Sequence, residues 1–314
     1  MKSRALWGEL PPELQLEIAS YLDPVSQSAM VRTSHQFYGL FQKTRLTHKF
    51  LLHIARGEED KAQHILALNP DLLFAYGNVT DYSGRHFIRI TGFQYALWAL
   101  DFYMWKMILM SLPPNEKGDL LKRELLRQYD ELEEKGVSYK LNGNRYHEKH
   151  YDFSSILRPM QAYFEDTKEC CINNVGVAQR LVPAHIAQHY CNYDIHFKHL
   201  LPLKNDTFIR QLTFCNIGKS GFNHEDAWFP LSASDGSILG VNVVISRDSE
   251  GLIAGNGKIL AFCTTGSYCT ELDFKYLTEL CAKSHLALLD LRQVLQTDHN
   301  SCDSHMNSKP NNAV

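Results

Sequence analysis

Two histidines one helical turn apart form the pattern in this chain that comes nearest to metal chemistry. His185 and His189 would share one side of a helix that opens after Pro183, and Cys191 follows shortly afterwards. Imidazole and thiolate groups are common zinc ligands, and the i, i+4 spacing lets two side chains reach one ion. A zinc-protease helix carries glutamate directly after its first histidine, whereas this chain has Ile186 there. We therefore expect a structural pair and assign no metal.

Other sequence signatures of catalysis are absent. Gly255-Asn256-Gly257-Lys258 lacks the spacing of a phosphate-binding loop, and Ile259 replaces the hydroxyl residue that would contact magnesium. No Gly-x-Ser-x-Gly elbow of a serine hydrolase occurs. The eight cysteines and fifteen histidines allow many Cys–His pairings, but no local signature selects one. We predict no catalytic residue and no cofactor.

The composition predicts a folded protein without a nucleic-acid partner and without a membrane span. Of the 314 residues, 44% are hydrophobic and 21% charged, as in globular proteins. The 32 basic and 35 acidic side chains give a net charge of −3, which offers no overall attraction for phosphate backbones. The most apolar stretch, residues 96–112, contains Asp101 and Lys106 and is too short to cross a bilayer.

The cysteines and the N-terminus both favour a cytoplasmic protein. None of the eight cysteines forms a Cys-x-x-Cys pair, and none precedes residue 170, so we expect reduced thiols. Glu9, Glu13 and Glu17 arrive before an apolar signal-peptide core could form. If the protein leaves the cell that makes it, we expect a route other than the general secretory one.

The first forty residues predict three short helices. Pro11 and Pro12 suit a first helical turn, and Asp23-Pro24 ends that helix and begins the next. Ser34 can cap the third helix. The first helix has one apolar stripe, formed by Leu14, Ile18, Tyr21 and Leu22. A unit of about 35 residues buries too little surface to be stable alone. We therefore expect it to pack against something else.

This segment resembles the F-box. The family pattern is matched at Leu10-Pro11, Glu13-Leu14, Ile18, Ser20-Tyr21-Leu22 and Asp23-Pro24, and more loosely at Thr33, Ser34, His35 and Phe37. Ser26 and Gln27 depart from it. The resemblance implies docking onto Skp1, the adaptor of cullin-RING (SCF) ubiquitin ligases. The Skp1-binding residues it implies are Leu10, Pro11, Leu14, Ile18, Leu22, Met30 and Val31. The alternative is a helical hairpin that packs only on its own chain.

The middle of the chain predicts two short helix pairs, over residues 51–73 and 91–112. Gly77 to Ile90 lies between them and has the polar turn and β-prone residues of a finger. The arrangement resembles a degenerate ankyrin pair without the consensus Thr-Pro-Leu-His; an irregular helical domain is the alternative. An amphipathic helix over 119–135 follows, with Leu121, Leu125, Tyr129 and Leu132 on its apolar side, and then a polar, aromatic connection from Gly143.

Three segments resemble effector proteins that intracellular bacterial pathogens inject into host cells. They are GNVTDYSGR at 77–85, FQYALWALD at 93–101 and VGVAQRLVPAHIAQHYC at 175–191. Bacteria have no Skp1, so an F-box in such a protein would act only after delivery. The resemblance implies a site of action in the host cytosol.

The second half of the chain predicts strands followed by helices. Strands are expected at 207–214, 237–246 and 258–265, with turns at 248–250 and 255–257. Two helices are expected at about 271–282 and 284–296. The predicted fold class is α+β: an F-box at 1–45, an ankyrin-like helical region at 46–140, a C-terminal α+β domain with a short antiparallel sheet at 141–296 and a disordered tail at 297–314.

The function that these patterns favour is that of an F-box substrate adaptor. It would bind Skp1 and bring an unidentified target protein to an SCF ligase for ubiquitination, as a bacterial effector in a host cell. It would not itself be an enzyme. The alternative is an effector enzyme with a substrate pocket in residues 150–296 and a structural N-terminal hairpin. A third hypothesis is that the F-box redirects the ligase to this protein or simply occupies Skp1.

Overall fold

A computed structural model describes residues 10–20, 22, 24–33, 35–165, 169–191, 211–216, 224–227, 244–248, 251–255 and 266–297. The chain begins with three helices, α1 (Pro12–Ser20), α2 (Pro24–Val31) and α3 (His35–Ala55). Pro12 and Pro24 each occupy the first position of a helix, as predicted, because the N–H group that proline lacks has no partner there.

Helix α3 is one continuous helix of 21 residues where the sequence predicts two separate ones. No proline lies within it, and the partly buried Leu46 continues its apolar side as far as Phe50. The helix ends at a Schellman motif, in which Gly57 adopts a φ of 66° and Glu58 N–H donates to His53 O. The predicted F-box boundary at residue 45 therefore falls inside a helix.

Helix α3 contributes to two separate apolar cores. Its first half packs in a small core around the buried Val31 and Phe41, whose partly buried neighbours are Leu22, Met30, Phe37 and Leu40. Its second half places Phe50, Leu51 and Ile54 in the main core of the chain. The N-terminal helices are thus joined to the rest of the protein through helix rather than through a loop.

Two helical hairpins lie side by side in the centre of the chain. Helix α4 (Glu59–Leu68) packs on α6 (Phe102–Met110), and α3 packs on α5 (Gly92–Ala99). At Gly92 a Cβ atom would overlap the side chains of Ile54 and Phe50, so a larger residue at this crossing would require them to move. A 3₁₀ helix (Pro70–Phe74) follows α4. The ankyrin-like assignment stays a prediction, since such helix pairs also occur in other helical folds.

Helix α7 (Glu116–Lys135) confirms the predicted amphipathic helix. Asn115 caps its N-terminus by accepting a hydrogen bond from Gly118 N–H. The four apolar residues of the predicted face are all buried, namely Leu121, Leu125, Tyr129 and Leu132. The periodicity of the sequence therefore identified the face that packs on the core.

A four-stranded antiparallel sheet lies next to these helices, with the strand order β1-β2-β3-β4. Its strands are β1 (Gly77–Thr80), β2 (His86–Ile90), β3 (Val137–Leu141) and β4 (Asn144–Glu148). The β1–β2 hairpin occupies the predicted finger. The β3–β4 hairpin replaces the connection predicted from Gly143: Asn142 and Gly143 both have positive φ, which suits a two-residue turn.

The C-terminal region contains helices α8 (Ser154–Glu165), α9 (Glu169–Arg180), α10 (Ala184–Cys191) and α11 (Gly266–Thr297). The two helices predicted after residue 270 are therefore one, and Ser284 is buried within it. Strands β5 (Gln211–Asn216), β6 (His224–Ala227), β7 (Val244–Asp248) and β8 (Gly251–Gly255) form a second sheet, in the order β6-β5-β8-β7.

The second sheet is mixed, because β5 and β8 pair in parallel while its other two pairs are antiparallel. The sequence predicts only antiparallel pairing there. Two of the expected strands overlap β5 and β7, but the strand at 258–265 and the tail from 298 lie outside the described residues. Helices and short sheets together confirm the predicted α+β class.

A buried arginine joins the first sheet to the C-terminal region. Arg85 Nη1 donates to Ser83 Oγ and to Leu181 O, both at 2.6 Å. Its guanidinium carbon lies 5.3–5.5 Å from three aromatic ring centroids, those of Trp98, Tyr139 and Tyr151. Such contacts stabilise a cation that has lost its water. The turn between β1 and β2 is thereby tied to the connection between α9 and α10.

A buried carboxylate accompanies this arginine. Asp81 Oδ1 accepts hydrogen bonds from the backbone N–H groups of Ser83 and Arg85, both at 2.9 Å. Burial raises the pKa of Asp81, and the Arg85 charge, with Nη1 3.9 Å from Asp81 Oδ2, opposes that rise. The attraction between Asp81 and Arg85 therefore offsets part of the free energy that each group loses when it is removed from water.

A second buried polar pair links α6 to α10. Asp101 caps α6 by accepting a hydrogen bond from Met104 N–H at 3.1 Å. His185 Nδ1 lies 3.9 Å from Asp101 Oδ2, and both side chains are buried. Burial raises the pKa of Asp101 to about 7 and lowers that of His185 to about 3. Burial thus favours the uncharged form of each group.

Replacing the buried arginine should strongly destabilise the fold. Arg85→Met keeps much of the side-chain volume but leaves Asp81 buried without its cation. Breaking a buried pair in this way costs about 3–5 kcal/mol of unfolding free energy. Chemical denaturation followed by circular dichroism measures the loss, with Arg145→Met, a change at an exposed residue, as the matched control. Equal stability of the two variants would contradict the role given to Arg85.

Replacing Asp101 should change how stability depends on pH. Between its ordinary pKa and about 7, folded Asp101 retains a proton that the unfolded chain releases, so it makes stability fall as pH rises. Asp101→Asn keeps a capping oxygen but cannot ionise. The unfolding free energy of this variant minus that of wild type should therefore increase with pH, by up to about 1.4 kcal/mol per unit between about pH 4 and 7.

His185→Asn is the control for this titration, because its effect has the opposite sign. The pKa of His185 is lowered on folding, so this side chain makes wild-type stability rise between about pH 3 and its ordinary pKa of 6.5. The free energy of the His185→Asn variant relative to wild type should decline with pH over that interval. If the unfolding free energies of the two variants differed from that of wild type by the same amount at every pH, both assignments would be contradicted.

Candidate functional site on the N-terminal helices

Two large apolar side chains of α1 are exposed on the same face of the helix. Leu14 and Ile18 are one turn apart and are 45% and 39% exposed. Between them, Gln15 is buried, and its Nε2 donates to Leu10 O at 2.7 Å. The helix therefore turns a polar residue inward and apolar residues outward, the reverse of the arrangement that suits an isolated chain.

The other residues predicted for this surface lie at different depths. Pro11 is exposed, and Leu10, Leu22 and Met30 are half-buried. Val31 is only 3% exposed, because it packs with Phe41 in the small N-terminal core. Val31 is therefore placed to support the surface from beneath rather than to form it. The remaining six predicted residues keep some exposure, and we call these six the N-terminal surface.

The small core fixes the helices that present this surface. The Phe37 and Phe41 ring centroids lie 6.1 Å apart, and both residues belong to the part of α3 against which α2 packs. Thr33 N–H and Oγ1 donate to Met30 O at 3.0 and 2.6 Å, which closes the end of α2. Because α3 continues into the main core, the surface is held by the same helix that supports the centre of the protein.

The charge of α1 adds to the chemistry of this surface. Glu13 and Glu17 are exposed on the same helix as Leu14 and Ile18, and α1 has no basic residue. A partner would therefore meet an apolar strip bordered by carboxylates. Such a surface offers burial of apolar area together with a negative rim.

The candidate metal ligands are not brought together in the described residues. His185 is buried beside Asp101, and its Nε2 has no hydrogen-bond partner. The side chains of His189 and Cys191 lie outside the described part of the chain. Among the described residues, no cluster of three or more His, Cys, Asp or Glu side chains could hold a metal ion. Within the same residues, no helix is long and apolar enough to span a membrane.

Sequence reasoning gave no role to the buried cluster around Arg85 or to the β3–β4 hairpin. Arg85 contacts Leu181, a residue 96 positions further along the chain, so no local pattern connects them. The hairpin did carry a signal, the Asn142-Gly143 pair, which favours a two-residue turn. The strand after it is almost wholly exposed and therefore lacks the alternation that identifies a strand.

Comparison with known proteins identifies both ends of the chain. The F-box domain family matches residues 7–49, and a family described as the CBUA0006 C-terminal domain matches residues 152–295. The F-box resemblance is thereby confirmed. An F-box is an adaptor module associated in general with ubiquitin ligases, and it is not catalytic. No solved structure matches the chain.

One relative covers most of the chain. The protein CBUA0006 of Coxiella burnetii (strain RSA 493 / Nine Mile phase I), itself uncharacterised, is 32% identical over 275 residues. The match spans 80% of this chain and 76% of the relative. Its source is an intracellular bacterial pathogen, the class of organism whose effectors the three internal segments resemble. The extent of this match shows that the chain belongs to the CBUA0006 family, with an F-box domain at its N-terminal end.

Proposed function

We propose that this protein is an F-box adaptor that binds Skp1 through its N-terminal surface and recruits a target protein to an SCF ubiquitin ligase. The observation that carries the proposal is the exposure of Leu14 and Ile18 on a helix within the F-box match. A hairpin with only a structural role would bury these side chains against its own chain. Here the main core uses the other end of α3 instead.

The contact with Skp1 would depend on apolar burial. Leu14 and Ile18 would be its centre, with Leu10, Pro11 and Leu22 around them and Met30 beside them. Burial contributes about 25 cal/mol per Å² of apolar area before the costs of association are deducted. Val31 would contribute indirectly, because its packing with Phe41 holds α2 against α3.

No covalent step is required of this chain. An adaptor accelerates ubiquitin transfer by holding the target close to the charged conjugating enzyme, which raises the effective concentration of the two reactants. The residues beyond the F-box would bind the target. This division of labour is consistent with a site whose described residues offer exposed apolar area bordered by carboxylates.

The source of the relative supports action in a host cell. Skp1 is a protein of eukaryotes, so a bacterial protein with an F-box would meet it only after delivery. We infer that this protein is an effector that reaches the host cytosol by a route other than the general secretory one. The three effector-like segments lie in the parts of the chain that would carry target binding, outside the F-box match.

Charge introduced at the N-terminal surface should abolish Skp1 binding. Leu14→Asp with Ile18→Asp places two carboxylates in the apolar contact, and we expect the affinity for purified Skp1 to fall at least about a hundredfold. Because both residues are exposed, circular dichroism should show an unchanged fold. Pull-down and isothermal titration calorimetry measure the loss.

The matched control is Leu286→Asp with Leu289→Asp. These leucines are 61% and 60% exposed on α11, so the same chemical change is made at another exposed apolar pair. The control should bind Skp1 like wild type. Undiminished binding by the α1 variant, or absence of binding by well-folded wild type, would refute the proposal.

A reconstituted ligase separates target recruitment from occupation of Skp1. With purified Skp1, cullin, RING subunit, conjugating enzyme and host lysate, recruitment predicts ubiquitinated host proteins that disappear with the α1 double variant. Modification of this chain alone would indicate redirection of the ligase to itself. Inhibition of another adaptor's substrate, without any new modification, would indicate simple competition for Skp1.

A further inference from the structure

The outward face of the first sheet carries a row of basic side chains in register. Cross-strand pairing places His86 opposite Lys140, and Lys140 opposite Arg145. His147 lies opposite Ser138 on the same face. Lys140, Arg145 and His147 are exposed, and His86 is half-buried. We call these four residues the basic face.

Lys140 and Arg145 make the basic face positive, although the chain as a whole has a net charge of −3. Lys140 and Arg145 are direct cross-strand neighbours, and like charges in that position repel one another. The carboxylate of this hairpin, Glu148, belongs to the opposite side of the sheet, where it accepts hydrogen bonds from Trp98 Nε1 and Tyr139 OH. A negatively charged partner would relieve the repulsion.

The same hairpin ends the sheet with an open edge. Among the described strands, β4 pairs only with β3, whereas β1 at the other edge packs along α3. Asn142 and Gly143 form a two-residue loop, so Leu141 and Asn144 pair through backbone hydrogen bonds, and such pairs alternate along the ladder. The backbone N–H and C=O groups of Arg145 and His147 therefore face the open edge.

These two features meet at Arg145 and His147. Both residues present backbone groups to the edge and side chains to the basic face. A strand that pairs with β4 would form backbone hydrogen bonds with them, and alternate side chains of that strand would lie beside Arg145 and His147. Carboxylates at those alternate positions would complete the charge pairing.

We propose that β4 and the basic face bind an extended acidic segment of a partner protein as a fifth strand of the sheet. A second copy of this chain is disfavoured, because edge-to-edge pairing would bring two sets of basic residues together. Single-stranded nucleic acid is disfavoured because its binding uses exposed aromatic stacking, whereas Tyr146 lies on the opposite side and stacks on Tyr139. That the acidic partner is a ubiquitination target rests on the proposed adaptor function.

The probe for this site is a fluorescein-labelled peptide of alternating glutamate and threonine. Fluorescence anisotropy should show saturable binding to the full chain. Lys140→Glu with Arg145→Glu should weaken binding at least about tenfold. The matched control, Lys106→Glu with Arg158→Glu, makes the same charge change at exposed residues of α6 and α8 and should bind like wild type.

Two altered peptides separate charge from strand pairing. Replacing every glutamate with glutamine removes the charges, and replacing alternate threonines with proline removes backbone donors and disrupts the strand. Both peptides should bind at least about tenfold more weakly than the parent, as the proposal requires both interactions. Equal binding by either peptide, or unchanged binding by the Lys140→Glu, Arg145→Glu variant, would overturn it.

Other occupants give recognisable results. If a thymidine oligonucleotide bound more tightly than the acidic peptide, and the Lys140→Glu, Arg145→Glu variant lost that binding, the site would be one for nucleic acid instead. A wild-type dimer in sedimentation velocity that this variant dissociates would assign the edge to a second copy. The basic-face variant should still capture Skp1, and the Leu14→Asp, Ile18→Asp variant should still bind the peptide. Failure of the sheet site and failure of the adaptor function are therefore distinguishable.

Discussion

A guanidinium removed from water must find replacement partners, and the architecture of this chain depends on how Arg85 does so. Its ligands come from the β1–β2 turn, from the aromatic rings of α5, β3 and the segment before α8, and from the backbone at Leu181. Elements far apart in sequence therefore have to assemble together for the charge to be accommodated. The three effector-like segments each contribute to this buried polar region, through Arg85, Trp98 and Leu181.

The fold places the two candidate binding surfaces on different parts of the molecule. The N-terminal surface is apolar with acidic neighbours, whereas the basic face of the sheet is positive and has a free backbone edge. The first is suited to burial of apolar area, and the second to charge pairing and strand addition. Two surfaces of such different chemistry would not compete for one partner, which is what an adaptor requires.

Sequence reasoning succeeded where one local property determined the structure. The period of Leu121, Leu125 and Leu132 identified α7 and its buried face, and Pro12 and Pro24 marked two helix starts. It divided α3 although no proline or glycine separates Leu46 from Phe50. The F-box resemblance implied Val31 as a Skp1 contact together with the exposed Leu14 and Ile18, but a motif does not tell which side of a short helix packs inward. Only the contact with Phe41 decides that. The Arg85 cluster depends on long-range contacts that no window of sequence contains.

The continuity of α3 has a geometric consequence for an adaptor. A helix rises about 1.5 Å per residue, so its 21 residues extend about 30 Å from the F-box core into the main core. Without a loop between the two cores, an adaptor built on this helix would act as a spacer of fixed length rather than as a tether. A target held on such a spacer would expose to the ligase only those lysines that lie at the distance set by the helix. Which lysines are modified would then be decided by the length and direction of this helix, and not by the affinity of the target alone.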